Sequence, residues 1–224
     1  MISPKLDHEF KTGNTMQPAA TPEEEFHSII AYRLHGNCYL NITSQCTLRC
    51  GFCPKYNRTW EVQSYDLRLH REPTVDEVLA AIGNPDEFKE IVFCGLGEPT
   101  MRLDALLAIA RAMKQQGARV RVNTDGLANL REGRDVTPEL AEVVDSLSIS
   151  MNAQNAAVYN EHTKPKLRGA YAAMLEFARL AHERGMAVSL TAIDGLKGVD
   201  IAACQQIAES IGVEFRRRQL DVVG

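Results

Sequence analysis

Apolar residues along this chain follow two rhythms that take turns. Tyr39-Leu-Asn-Ile-Thr43 alternates with period two, as a half-buried strand does. Ile91-Val-Phe-Cys94 is a short continuous apolar run, the mark of a strand covered on both faces. Val120-Arg-Val122, Leu147-Ser-Ile149 and Val188-Ser-Leu-Thr-Ala-Ile193 give further strands, and Val213-Glu-Phe215 gives a sixth. Helical spacing fills the gaps. Thr74 and Glu77 form a capping box after Pro73, and Val75, Val78, Leu79 and Ile82 mark one face that Gly83 stops. Leu103, Leu106, Leu107, Ala110 and Met113 make a second face. Thr137-Pro138 reads as an N-cap followed by proline at the first helical position. Met174, Leu175, Ala178 and Ala181 make another face, and the last helix follows Asp200 with Ile201, Cys204, Ala208 and Ile211. At Gly117, Gly185 and Gly212 a helix ends and a strand follows within a few residues. Strands alternating with amphipathic helices predict an α/β fold, with a parallel sheet and right-handed crossovers. Six strands are too few for an eight-stranded barrel. An open doubly wound sheet and a partial (β/α)6 barrel both remain, and both put working loops at the strands' C-terminal ends.

The length of 224 residues suits one domain or one and a half. Residues 1–27 read as a polar tail without periodicity and residues 28–224 as the folded domain. A net charge of −4 excludes a broad nucleic-acid footprint. No apolar run approaches the roughly 18 residues of a membrane helix, so no membrane association is expected. No secretory signal is legible either, and the expectation is a cytoplasmic protein. Six cysteines without such a signal point to metal or redox chemistry rather than a disulfide framework.

Three of those cysteines, Cys46, Cys50 and Cys53, follow the first strand as C-x3-C-x2-C. Three thiolates are one short of a structural zinc site or a fully ligated four-iron cluster, which leaves an open coordination position. The second strand runs into Gly95-Leu-Gly-Glu-Pro99, whose glycines let the backbone approach a ligand. The third ends at Asn123-Thr-Asp-Gly126. The fourth holds Ser148, Ser150 and Asn152 at period two, on one face. Cys204 reads as core, and Cys38 and Cys94 as strand residues. The loop over residues 55–71, with Tyr56, Asn57, Arg58, Trp60, Asp66, Arg68 and His70, is the first place to look for substrate contacts. His162, Lys164 and Lys166 lie after the fourth strand, within possible reach of the site. Arg216-Arg217-Arg218 reads either as a seat for an anionic partner or as a solvated edge.

The cysteine triad followed by the glycine–glutamate–proline loop resembles the radical S-adenosylmethionine (SAM) superfamily, over roughly residues 36–217. More closely, His35-Gly-Asn, residues 39–43, 93–100 and 129–135, and Ser148-Ile-Ser-Met-Asn-Ala153 resemble the TatD-associated radical SAM proteins. The resemblance implies a partial (β/α)6 TIM-like barrel with outer helices. It implies that Cys46, Cys50 and Cys53 ligate a [4Fe-4S] cluster whose fourth iron takes the amino and carboxylate groups of SAM. Phe52 would pack near the adenine. Gly95 and Gly97 would offer backbone to the SAM amino group, braced by Glu98. Asn123, Ser150 and Asn152 would contact its amino-acid or ribose parts. Leu96-Gly97 stands where the family usually carries two glycines. The implied reaction is reductive cleavage of SAM to a 5′-deoxyadenosyl radical, which takes hydrogen from an unidentified substrate. An electron donor such as flavodoxin or ferredoxin is implied, as is an association with a TatD-type nuclease. Two other readings are an activating enzyme that installs a glycyl radical on a protein partner, and a non-enzymatic iron–sulfur or zinc protein that carries electrons or senses redox state.

Overall fold

The computed structural model describes residues 28–220, so the tail expected over residues 1–27 lies outside them. Strands β1 (Ala31–Leu34) and β2 (Asn37–Leu40) form an antiparallel hairpin. A two-rung hairpin, β3 (Glu61–Val62) and β4 (Tyr65–Asp66), interrupts the long loop that follows. Helix α1 (Val75–Ile82), β5 (Ile91–Phe93), α2 (Leu103–Gln115) and β6 (Val120–Thr124) come next. Then come α3 (Ala128–Glu132), α4 (Thr137–Ala141), β7 (Ser146–Ser150), α5 (Ala156–Thr163) and α6 (Ala170–Glu183). Strand β8 (Ala187–Asp194), α7 (Ile201–Ile211) and β9 (Glu214–Gln219) complete the described chain.

The main sheet runs β1-β2-β5-β6-β7-β8-β9 and is parallel from β2 onward. This order never doubles back. A doubly wound sheet needs a reversal to place helices on both faces. Right-handed crossovers that always step the same way put every helix on one face. The order therefore selects the partial-barrel option, with its two edges, β1 and β9, not hydrogen-bonded to each other.

The helix-side face is apolar. Leu40, Ile91, Phe93, Val122, Leu147, Ile149 and Leu190 pack with Leu106, Ile109, Met113 and Phe177 in one continuous core, which includes Cys38 and Cys204. The inner face is apolar only toward β1. There Tyr32, Tyr39, Val62, Leu67 and Val92 form a smaller cluster, roofed by the β3–β4 hairpin. Among the described residues no helix is long and apolar enough to cross a membrane.

Several elements differ from the sequence reading. Strand β2 stops at Leu40 rather than Thr43, because the Asn41 side chain takes over: its Nδ2 donates to the carbonyls of Ile29 and Leu67, both at 3.0 Å. Thr137 is the first helical residue and not the cap; the Asp135 carboxylate instead accepts from its N–H at 3.0 Å and its hydroxyl at 2.7 Å. The Thr74–Glu77 capping box forms as read, and Asp200 caps α7. Strand β1 and the short helices α3 and α5 were not expected. The β1–β2 turn is His35-Gly36, with φ of +53° and +81°, the double left-handed turn that suits the twist of a hairpin.

Candidate functional site

One cavity of about 490 Å³ opens on the inner face, at the C-terminal ends of the strands. Cys46, Cys50, Phe52 and Cys53 line it from the loop after β2. Gly95, Gly97 and Glu98 line it from the loop after β5, and Asn123, Ser150 and Asn152 from β6, β7 and just beyond. Every residue singled out from the sequence for a metal or cofactor role thus faces one space.

The cysteine loop is held from outside by the segment after β7. The N–H groups of Arg49 and Gly51 donate to the carbonyls of Thr163 and His162, and that of Lys166 to Thr47. The Lys166 ammonium donates to the Cys46 carbonyl at 2.8 Å. His162, Lys164 and Lys166 do not line the cavity; what this segment supplies is support for the loop. From the long loop, Asn57, Thr59, Glu61 and Val62 line the cavity. Tyr56, Arg58, Trp60, Asp66, Arg68 and His70 do not; the hairpin is seated on buried Val62 and Leu67 and turns only Glu61 and Val62 into the cavity.

Gly95 and Gly97 answer to the protein as much as to any ligand. A Cβ on Gly97 would sit inside the contact radius of the Thr43 carbonyl oxygen and 2.7 Å from that of Gln45. A Cβ on Gly95 would overlap the Asn41 side-chain oxygen and come within 2.9 Å of its Cγ. The loop after β5 is thereby pressed against the segment after β2. Glu98 fixes it there. Its Oε1 accepts from the Thr100 N–H at 3.0 Å and from the hydroxyls of Thr100 and Thr124, both at 2.8 Å; its Oε2 accepts from the Asp125 N–H at 2.6 Å. Asp125 in turn accepts from the Thr47 hydroxyl and the Leu127 N–H. Three loops are tied through two buried carboxylates. Burial pushes the Glu98 carboxyl above its ordinary value, against those donors. Burial, and then the neighbouring Glu98 charge, push Asp125 well above its own. The sequence reading gave Asp125 no role; its signal was a polar residue two places beyond Asn123 and just before a left-handed glycine, Gly126.

Asn123 is partly engaged. Its Oδ1 accepts from Arg121 at 2.9 Å, and Arg121 pairs with Glu90 at 3.0 Å. Asn152 is 2% exposed, has φ of +56°, and its Oδ1 has no hydrogen-bond partner. A buried acceptor without a donor is costly, and so is a left-handed backbone on a residue other than glycine. Cys94 sits one residue past β5 and lines the cavity instead of a strand interior. The Tyr32 hydroxyl holds its carbonyl at 3.0 Å. Burial pushes the Cys46 thiol up to about 12, helped by the Asp125 and Glu98 charges, and it raises Cys50 and Cys53 as well.

The radical SAM superfamily profile matches residues 40–211, well over half of the chain. Over 138 residues the chain is 30% identical to the 7-carboxy-7-deazaguanine synthase of Halobacterium salinarum, covering 62% of this chain and 46% of that one. Over 118 residues it is 32% identical to the tungsten-containing aldehyde ferredoxin oxidoreductase cofactor-modifying protein of Pyrococcus furiosus, covering 51% and 30%. The chain thus spans less than half the length of these relatives. The fold is similar to that of Streptococcus suis SuiB bound to S-adenosylmethionine, with a TM-score of 0.59 at 13% identity over 82% of this chain and 40% of that one. This chain belongs to the radical SAM superfamily, a family of enzymes that apply a [4Fe-4S] cluster, S-adenosylmethionine and a reductant to their substrates.

Proposed function

We propose that this chain cleaves SAM reductively at a [4Fe-4S] cluster held by Cys46, Cys50 and Cys53, and turns the resulting radical on a substrate in the same cavity. The observation that carries the reading is the convergence of the three thiols, the Gly95–Gly97 loop and the polar ends of β6 and β7 on one space. The donor set suits a cluster. All three cysteines are free. Among the described residues no group of three or more His, Cys, Asp or Glu side chains is arranged to hold a single metal ion. One ion draws its sulfurs to about 2.3 Å from a point, whereas a cluster offers each thiolate its own iron. Thiols whose ionisation burial opposes become thiolates when a cationic centre compensates them.

When bound, the cluster and SAM supply an electron and a 5′-deoxyadenosyl radical that takes hydrogen from the substrate. The chain does the rest by binding and orientation. Phe52 offers an aromatic face for the adenine. The backbone at 95–97 is held ready by Glu98, whose carboxylate is already occupied by its own four donors and so supports the loop without touching SAM. The unpartnered Asn152 oxygen awaits a donor, such as a ribose hydroxyl or the SAM ammonium.

The electron comes from a donor such as a flavodoxin or ferredoxin. The stretches at 129–135 and 148–153 that resemble TatD-associated radical SAM proteins support a TatD-type nuclease as partner. Co-purification of the two chains tests that association, and absence of contact removes it. The reaction is tested by anaerobic reconstitution with iron and sulfide, reduction, and addition of SAM. The expected result is 5′-deoxyadenosine, with Cys50→Ala losing more than nine-tenths of the bound iron and all product. A reconstituted cluster that neither responds to SAM nor cleaves it, even with cell extract as a source of substrate, overturns the reading.

A further inference from the structure

Strand β9 carries three consecutive arginines, and its pleat sends them to opposite faces. Arg217 lies opposite Ala192 on the helix-side face, and its guanidinium pairs with Asp194. Arg216 and Arg218 lie opposite Thr191 and Ile193 and line the cavity. Arg216 reaches across β8 to the Ser148 hydroxyl on β7, 3.4 Å away. Arg218 is half-buried and lies within the electrostatic reach of Cys94, at the end of β5.

Neither cavity arginine forms an ion pair among the described residues. The acidic groups that line the cavity do not neutralise them. Glu98 and Asp125 are occupied by hydroxyl and backbone donors, and Glu61 pairs with neither arginine. A guanidinium stays charged at every physiological pH. Two of them on one face repel each other, and Arg218, half-buried where Arg216 is exposed, also loses hydration without return. That cost is met when an anion enters, and the guanidinium fork matches the paired oxygens of a carboxylate or phosphate. The placement leaves room for chemistry: the cysteines line the cavity beside β2, near one edge of the sheet, and the arginines project from β9, at the other.

We propose that Arg216 and Arg218 are the anion-binding subsite for the substrate, so that the compound attacked in this cavity carries a carboxylate or phosphate group. The word substrate rests on the radical SAM reading above; the anion site itself does not. The probes are inorganic pyrophosphate and citrate, titrated calorimetrically into the full chain in low-chloride buffer, with and without the reconstituted cluster. The wild-type chain is expected to bind at least one of them with a submillimolar Kd. R218Q weakens that binding at least tenfold, R218K restores part of it, and R217Q leaves it within twofold. R218Q also keeps or raises Tm, since it removes an uncompensated charge. No binding by the wild type, or equal binding by R218Q, overturns the proposal. SAM carries a carboxylate too, so SAM affinity is measured on the same reconstituted variants. If R218Q loses SAM by the same factor and SAM displaces the probe, the arginines serve the cofactor and the substrate assignment falls. Failure of the wild type to form 5′-deoxyadenosine sinks the radical reading instead, and the titrations without cluster still decide the anion site.

Discussion

Toward β9, the two faces of the parallel strands differ as much as the inside and outside of a protein, whereas on β2 and β5 both faces are apolar. On β7, Leu147 and Ile149 belong to the helix-side core while Ser146, Ser148 and Ser150 face inward. On β6, Val120 and Val122 pack outward beside inward Arg121 and Asn123. Adjacent residues serve opposite ends because the strand period is two. The outer face drives folding; the inner face holds polar groups that folding alone does not require. Stability and chemistry are thereby separated by one position along the chain.

Substitutions on either face sharpen this contrast. The largest effect is expected at the outer face. Phe93 is fully buried, and Phe93→Ala is expected to cost about 3–5 kcal/mol of stability, read as a lowered denaturation midpoint. A loss under about 1 kcal/mol would mean that the outer face is not the source of stability. Glu98→Gln comes next. An amide matches the shape but turns a donor toward either the Asp125 N–H or the cluster of three donors at Oε1. The expected cost is about 1–3 kcal/mol, accompanied by weaker SAM binding as the three tied loops loosen. The smallest effect is expected at the inner face. Ser148→Ala removes only a long contact to Arg216 and is expected to move stability by less than about 1 kcal/mol. A larger loss there would show that the inner face is as structural as the outer one.

Much of this was legible because it depends on local order. Apolar runs located the six parallel strands to within a few residues, and Thr74, Asp200 and the terminal glycines marked helix ends through their own backbone bonds. That the ten residues proposed for the cluster and SAM would line one cavity was legible because their spacing in the chain resembles a known family. What was missed depends on partners distant in sequence. The reach of Asn41 to Ile29 and Leu67 ends β2 early, and nothing in residues 39–43 announces it. Lys166 supports Cys46 across 120 positions. Asp125 matters because Thr47 and the Glu98 loop meet it. The triple arginine left two readings open since its division between faces follows from the register of β8 against β9, which residue type does not encode.

The open edge at β9 has a second consequence, for colloidal behaviour. An edge strand shows unpaired amide and carbonyl groups and is a ready template for another chain. Here that edge carries Arg216, Arg217 and Arg218 in succession. Two copies brought together β9 against β9 would set the unpaired Arg216 and Arg218 of each along a single seam, with Arg217 held by Asp194 on the other face. Like-charge repulsion then opposes cross-chain pairing along the β9 edge of the seven-stranded sheet.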